Sequence, residues 1–107
     1  MHKTVSAAST NATVVKASAG KVYSIQVNNV NAAVRYLKLY NLAAAATVGT
    51  SVPVKTLAIP AASVQTFEFP GGLNFSAGIG FATTTEATDA GTTGISASES
   101  VINVDYS

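Results

Sequence analysis

The sequence predicts an all-β chain: a small β-sandwich, jelly-roll or immunoglobulin-like, of six to eight short antiparallel strands. Three observations predict it. Apolar and polar residues alternate with period two over several short runs, as in strands buried on one face. Breaks rich in Pro, Gly and Asn separate those runs. The stretch Pro53–Thr84 holds three such runs and all four phenylalanines, Phe67, Phe69, Phe75 and Phe81, and the rest of the chain packs around it.

At 107 residues the chain makes one domain, long enough to bury roughly two-thirds of its unfolded surface without staples. It is 48% hydrophobic and only 10% charged, against about 25% charged in typical domains. The surface must therefore be built from Ser, Thr, Asn, Gly and Ala, which repel weakly and suit packing against other protein. Net charge is +1, and the basic residues Lys3, Lys16, Lys21, Arg35, Lys38 and Lys55 are scattered. With no basic stripe, nucleic acid is not an expected partner. No cysteine is present, which excludes disulfides, thiol chemistry and Cys metal sites. No apolar run nears the ~20 residues of a membrane helix, so no membrane role is expected. The start, Met1–Ala12, lacks the apolar core of a secretory signal, and the Asn11-Ala12-Thr13 sequon reads as a chance match.

Residues 1–11 are small and polar without periodicity and read as an N-terminal arm, leaving 12–107 as the sandwich domain. Thr13–Ala17 is a short strand, broken at Ser18-Ala19-Gly20. Lys21–Asn28 alternates, with Tyr23, Ile25 and Val27 on one face. Asn28–Asn31 then turns, since Asn forms Asx turns and tolerates left-handed backbone. Val34–Asn41 reads as a strand rather than a helix, because Val34, Leu37 and Leu39 make no continuous helical stripe. That reading buries Leu37 and Leu39 and turns Tyr36, Lys38 and Tyr40 outward. Leu42–Ser51 is a loop. Val52–Ile59 is a strand with Leu57 and Ile59 on one face, entered by Pro53. Pro60-Ala61-Ala62 turns the chain into Val64–Phe69, which buries Phe67 and Phe69. Pro70-Gly71-Gly72 is expected to break the chain before a strand carrying Phe75, Ala77, Ile79 and Phe81 on one face. Gly78 and Gly80 on the other face predict a close neighbour there. Thr83–Ser100 is a long polar loop, and Val101–Tyr106 closes the fold with Ile102, Val104 and Tyr106 inward.

The inventory argues against an enzyme. His2, the sole histidine, lies in the arm. Of the carboxylates, Glu68 and Asp105 alternate with inward residues and point out, while Glu99 closes the polar loop. Glu86 and Asp89 are close in sequence but sit in the same loop without EF-hand spacing, and read as solvated rather than as a calcium pair. Gly78-Ile79-Gly80 lacks the third glycine and helix of a phosphate cradle. No catalytic residue, cofactor or metal is expected. Contact is the better reading. Tyr36, Lys38 and Tyr40 would form an aromatic, basic ridge, and Tyr suits interfaces because it combines area with a polar tip. His2 and Lys3 on the arm, and the 83–100 loop, are further contact candidates.

The run from Tyr36 to Tyr106, through YLKLYN (36–41), TVGTSVPVKTLAIPA (47–61), FEFPGGLNFSAGIGFATT (67–84), the acidic, threonine-rich loop that follows and VINVDY (101–106), resembles small β-sandwich structural proteins of tailed-phage virions. The resemblance spans about two-thirds of the chain, by strand pattern rather than by any catalytic signature. It implies a capsid decoration or cement protein that binds the major capsid protein or neighbouring virion proteins. It also implies localisation to the virion, assembled in the bacterial cytoplasm, and a homo-oligomer, a trimer by the symmetry of the lattice. The rival expectation is a carbohydrate- or receptor-binding sandwich of a tail tip or adhesin, with Tyr36 and Tyr40 as its platform.

Overall fold

The computed structural model describes all 107 residues, Met1–Ser107. Eight strands form: β1 (His2–Val5), β2 (Thr13–Lys16), β3 (Gly20–Asn29), β4 (Arg35–Tyr40), β5 (Lys55–Ile59), β6 (Ser63–Phe75), β7 (Ile79–Thr84) and β8 (Ser100–Tyr106). There is no helix. The strands make two sheets, ordered β1-β8-β3-β6 and β2-β7-β4-β5, with every neighbouring pair antiparallel. The all-β sandwich read from the sequence is what the chain forms.

The pairing has a simple origin. β1 pairs β8, β2 pairs β7, β3 pairs β6 and β4 pairs β5. These are the rungs of one long antiparallel ribbon closed at the β4–β5 connection. Rolling that ribbon brings β3 beside β8 and β4 beside β7 and splits it into two facing sheets. This is jelly-roll connectivity. An immunoglobulin-like domain would instead pair its second strand with its fifth. Because successive strands alternate in direction, connections 6–12, 30–34, 60–62 and 85–99 gather at one end, here the upper end. Connections 17–19, 41–54 and 76–78 lie at the other, with Met1 and Ser107.

The core lies between the sheets and takes its side chains from both. Val22, Ile25, Val27, Phe75, Ile102 and Val104 come from the first sheet, and Leu37, Leu39, Leu57, Ile59, Ile79 and Phe81 from the second. Phe67, Phe69 and Tyr106 pack at its margin, only partly buried. The close neighbour predicted at Gly78 is backbone: a Cβ there would collide with the Leu42 carbonyl.

Three expectations are corrected. Residues 1–11 are not a free arm. His2–Val5 pairs with Val101–Val104 of β8, and residues 6–10 tie down the corner between the sheets. Ser6 N–H donates to the Ser100 carbonyl (2.8 Å) and Thr83 N–H to the Thr10 carbonyl (2.6 Å). Polar His2 and Thr4 hid this strand's inward face. His2 in fact points inward, its ring meeting Phe81 edge-on at 6.2 Å.

The second correction concerns the strands around Pro70-Gly71-Gly72: that tripeptide does not end a strand, because β6 runs through it to Phe75, and the single strand expected to carry Phe75, Ala77, Ile79 and Phe81 on one face is split by the 76–78 connection, which leaves Ala77 exposed. Between the pairs Ser24–Glu68 and Val22–Leu73, β3 contributes Tyr23 alone and β6 contributes Phe69, Pro70, Gly71 and Gly72. The positive φ of Gly71 (79°) and Gly72 (89°) lets the extra residues bulge out and rejoin the ladder. β6 is an edge strand, so Pro70 sits where a missing N–H is tolerated.

The third correction follows from the same irregularity. β3 shifts register between Val22 and Ser24 against both neighbours, so the parity that would have turned Tyr23 inward is broken. Val22 is fully buried and Tyr23 is exposed.

Candidate interaction surface

A sandwich has two outer faces, and here they differ. The outer face of β2-β7-β4-β5 is covered by the protein's own loops over β7 and β4, while Thr56 and Ala58 of edge strand β5 stay exposed. Lys38, Tyr40, Ala82 and Thr84, all on that side, are 0% exposed. The β7–β8 connection lies over them. Lys38 Nζ donates to the Thr88 carbonyl at 2.6 Å and, more weakly, to the Gly91 carbonyl at 3.4 Å. The loop is closed on itself: Thr85 N–H donates to the Thr93 carbonyl at 3.0 Å. Glu86 Oε1 accepts from Thr93 N–H at 2.9 Å, and Glu86 Oε2 from Thr93 Oγ1 at 3.1 Å. The Thr93 N–H and, more distantly, the Lys38 charge hold the Glu86 carboxyl below its ordinary range. Glu86 is thus a loop staple rather than half of a calcium pair with Asp89, and no group of three or more His, Cys, Asp or Glu side chains is placed to hold a metal.

The ridge expected from Tyr36, Lys38 and Tyr40 therefore does not exist as an outward surface. Lys38 and Tyr40 are inaccessible and Tyr36 is half-buried. The alternation was read correctly, since Leu37 and Leu39 do face the core. Period two separates two faces but does not say which of them meets water. The Tyr40 hydroxyl is buried without a hydrogen-bond partner, and burial, with the nearby Asp89 charge, raises its pKa. An orphaned buried hydroxyl is a net cost. Tyr40→Phe is accordingly expected to stabilise the protein by about 1 kcal/mol, seen as a thermal midpoint several degrees higher. A lower midpoint would mean the hydroxyl has a partner.

The outer face of β1-β8-β3-β6 carries no covering loop. Register fixes its side chains in three rows. Val5, Val101, Asn28 and Val64 form the upper row; Lys3, Asn103, Gln26 and Thr66 the middle; Asp105, Ser24 and Glu68 the lower. Val5, Val64, Lys3, Gln26, Thr66, Glu68 and Asp105 are exposed. The molecule's three shallow surface depressions all open on this face or its rim. One holds Tyr23, displaced outward by the bulge, beside Ser24, Glu68 and Asp105. Of the five residues expected to bind a partner, Lys3 alone stands here. His2 shares its strand but faces the interior. The valines and amides of this face were missed because alternation marks them only as the polar side of each strand.

The upper end is held by buried polar groups. Asn29, 1% exposed, donates from Nδ2 toward the carbonyls of Ala33, Ile59 and Pro60 and accepts from Asn31 N–H. Ser6 Oγ accepts from the N–H groups of Glu99 and Ser100. Glu99 is 5% exposed and is paired with Arg35 Nε at 2.7 Å and Asn31 Nδ2 at 2.8 Å. Burial pushes its carboxyl up, but hydrogen bonds from Arg35, Asn31 and the Ser96 backbone more than offset this, and the pKa is lowered. A lowered native value means stability that is complete above the unfolded-state pKa and is lost as pH falls through the native one. Below about pH 4.5 the protein is expected to lose stability faster than its Glu99→Gln variant. Parallel urea-midpoint profiles for the two would refute this.

Comparison of the chain with protein-family models, with curated proteins and with solved structures finds no match.

Proposed function

We propose that this protein works by contact rather than by chemistry, as a decoration or cement protein of a tailed-phage head that binds the major capsid protein and stabilises the shell. The supporting observation is the inequality of the two outer faces. One is covered over β7 and β4 by the loop that Lys38 holds down, leaving only the edge strand β5 open; the other is open across all four strands, an ordered array of valines and amides with three charges, Lys3, Glu68 and Asp105. Such a surface costs little desolvation to cover. A cement protein stabilises by mass action, binding the assembled shell and not its parts, and many identical sites make weak single contacts effective through avidity. Repeated lattice positions favour a homo-oligomer.

The test is occupancy on native particles. The protein is expected in purified virions at many copies, and electron microscopy should place its density on the head. Val64→Arg on the bare face should lower that occupancy, whereas Lys55→Glu on β5 should not. Absence from purified particles would overturn the reading. The carbohydrate-binding alternative no longer has its platform at Tyr36 and Tyr40, but exposed Tyr23 beside Ser24, Glu68 and Asp105 supplies a smaller one. Selective glycan-array hits abolished by Tyr23→Ala would favour that alternative.

A further inference from the structure

We infer that residues 86–92 form a hinged strap that swings open while both sheets stay folded, uncovering Lys38 and Tyr40 as a latent second contact face. The inference is independent of what covers the β1-β8-β3-β6 face. The strap is tied to itself better than to the body beneath it. At its base Thr85 N–H donates to the Thr93 carbonyl (3.0 Å), and at its tip Gly91 N–H donates to the Thr88 carbonyl (3.0 Å). The Glu86 carboxylate accepts from Thr93 N–H and Oγ1, and Thr84 Oγ1 donates to the Glu86 carbonyl at 2.7 Å. By contrast, only the two bonds from Lys38 Nζ join residues 86–92 to any residue outside 84–93. The strap holds no apolar side chain larger than alanine, and Ala87–Ala90 and Thr92 are exposed. It is seated on Gly49, where a Cβ would stand 2.5 Å from the Thr92 methyl carbon. A compact loop whose ends meet, and which one side chain latches to the body, is built to open as a unit. The chain on either side is fixed. Thr84 is buried in β7 and paired with Tyr36, and Ile95 is buried with its N–H on the Ser9 carbonyl at 3.0 Å. The hinges are therefore the short stretches at 85 and 93–94.

Closure is opposed from beneath. Lys38 is wholly buried but paired with no carboxylate, since the molecule's one ion pair joins Arg35 to Glu99. Two residues along the same side of β4, the Tyr40 hydroxyl is buried without a partner. Both groups regain water when the strap lifts. Two charge-assisted bonds hold it down against these two desolvated groups, so closure wins by a modest margin. The open state then belongs to the roughly 0.1–10% range of minor native conformations. Register sets what it shows: Tyr36, Lys38 and Tyr40 stand between Ala82 and Thr84 of β7 and the already exposed Thr56 and Ala58 of β5. That surface is aromatic, with one cation and no carboxylate of its own.

Acetylation of the full chain by sulfosuccinimidyl acetate, read for each lysine by peptide mass, tests this, with exposed Lys55 as internal standard. Lys38 should label about ten- to a thousandfold more slowly than Lys55, in proportion to the open population. Its rate should barely change with urea below the unfolding transition, because lifting a seven-residue strap exposes little surface. Amides of Leu37 and Leu39, on a strand paired on both sides, should stay protected over the same range. Tyr40→Phe removes a hydroxyl that closure buries at a cost. It should therefore slow Lys38 labelling by up to about tenfold, the equivalent of 1.4 kcal/mol, and leave Lys55 unchanged. Lys38 labelling that climbs with urea along the full unfolding slope, in step with exchange at Leu37 and Leu39, would overturn the inference. So would Lys38 labelling as fast as Lys55, or a Tyr40→Phe variant that labels at the parent rate.

Discussion

Truncating Lys38 to alanine is expected to destabilise the protein by about 3 kcal/mol. The side chain is 0% exposed, and its removal forfeits three buried methylenes at about 0.8 kcal/mol each. It also leaves the Thr88 carbonyl without its 2.6 Å donor. Relief from burying an ammonium group offsets part of this loss. In a domain of this size each kcal/mol moves the thermal midpoint by roughly 4–8 °C, so the effect is easy to measure. Lys38→Met separates the two contributions. It keeps the stem's volume and removes only the donor, so its midpoint should fall less. Both variants should speed amide exchange at Gly91 and Thr93, because both release the strap that seals the outer face of β4 and β7. Unchanged exchange in both would mean the loop seals itself through Glu86 and Thr93 alone.

Phe81→Ala is expected to cost more, about 3–5 kcal/mol, a large part of the 5–15 kcal/mol that holds a typical domain together. Phe81 is 1% exposed. It lies on β7 between Leu39 of β4 and Thr13 of β2, and it also meets the His2 ring of β1 across the sandwich. The cavity would therefore open between the sheets, where neither can collapse without losing register. Urea denaturation should show a lower midpoint at unchanged slope. Amides of His2–Val5 should exchange faster than those of β3, since β1 loses its inward neighbour. Phe67→Ala is the contrast. That side chain lies only partly buried at the margin, so its loss should cost clearly less. Equal costs at the two positions would contradict this placement of the core.

Much of the fold was legible in single strands. Leu57 with Ile59, Ile102 with Val104, and Leu37 with Leu39 alternate cleanly, and each pair is buried. The misreadings fall where a neighbouring strand or loop changes what the local pattern means. Thr4 and His2 look like arm residues until β8 offers its free edge. Pro70-Gly71-Gly72 looks like a turn until β3 is seen to pair on both sides of it. Tyr23 keeps the parity of Ile25 and Val27 in the sequence and loses it in the ladder, because a one-residue shift turns a side chain to the other face. The candidate site was less legible still. Lys38 and Tyr40 have the composition of an exposed ridge, and a charged side chain is rarely buried. Only the carbonyls of the 85–93 loop make burial of this one tolerable.

From residue order alone came the all-β class, most strand positions and most of the inward residues, since these follow from side-chain chemistry and a period of two. Tertiary structure decided the jelly-roll pairing and which outer face is open. Both depend on contacts between segments far apart in sequence: β1 with β8, and Lys38 with Thr88. Alternation assigns a residue to a side of its strand, and only the packing of distant loops determines whether that side meets water, another part of the chain, or a partner.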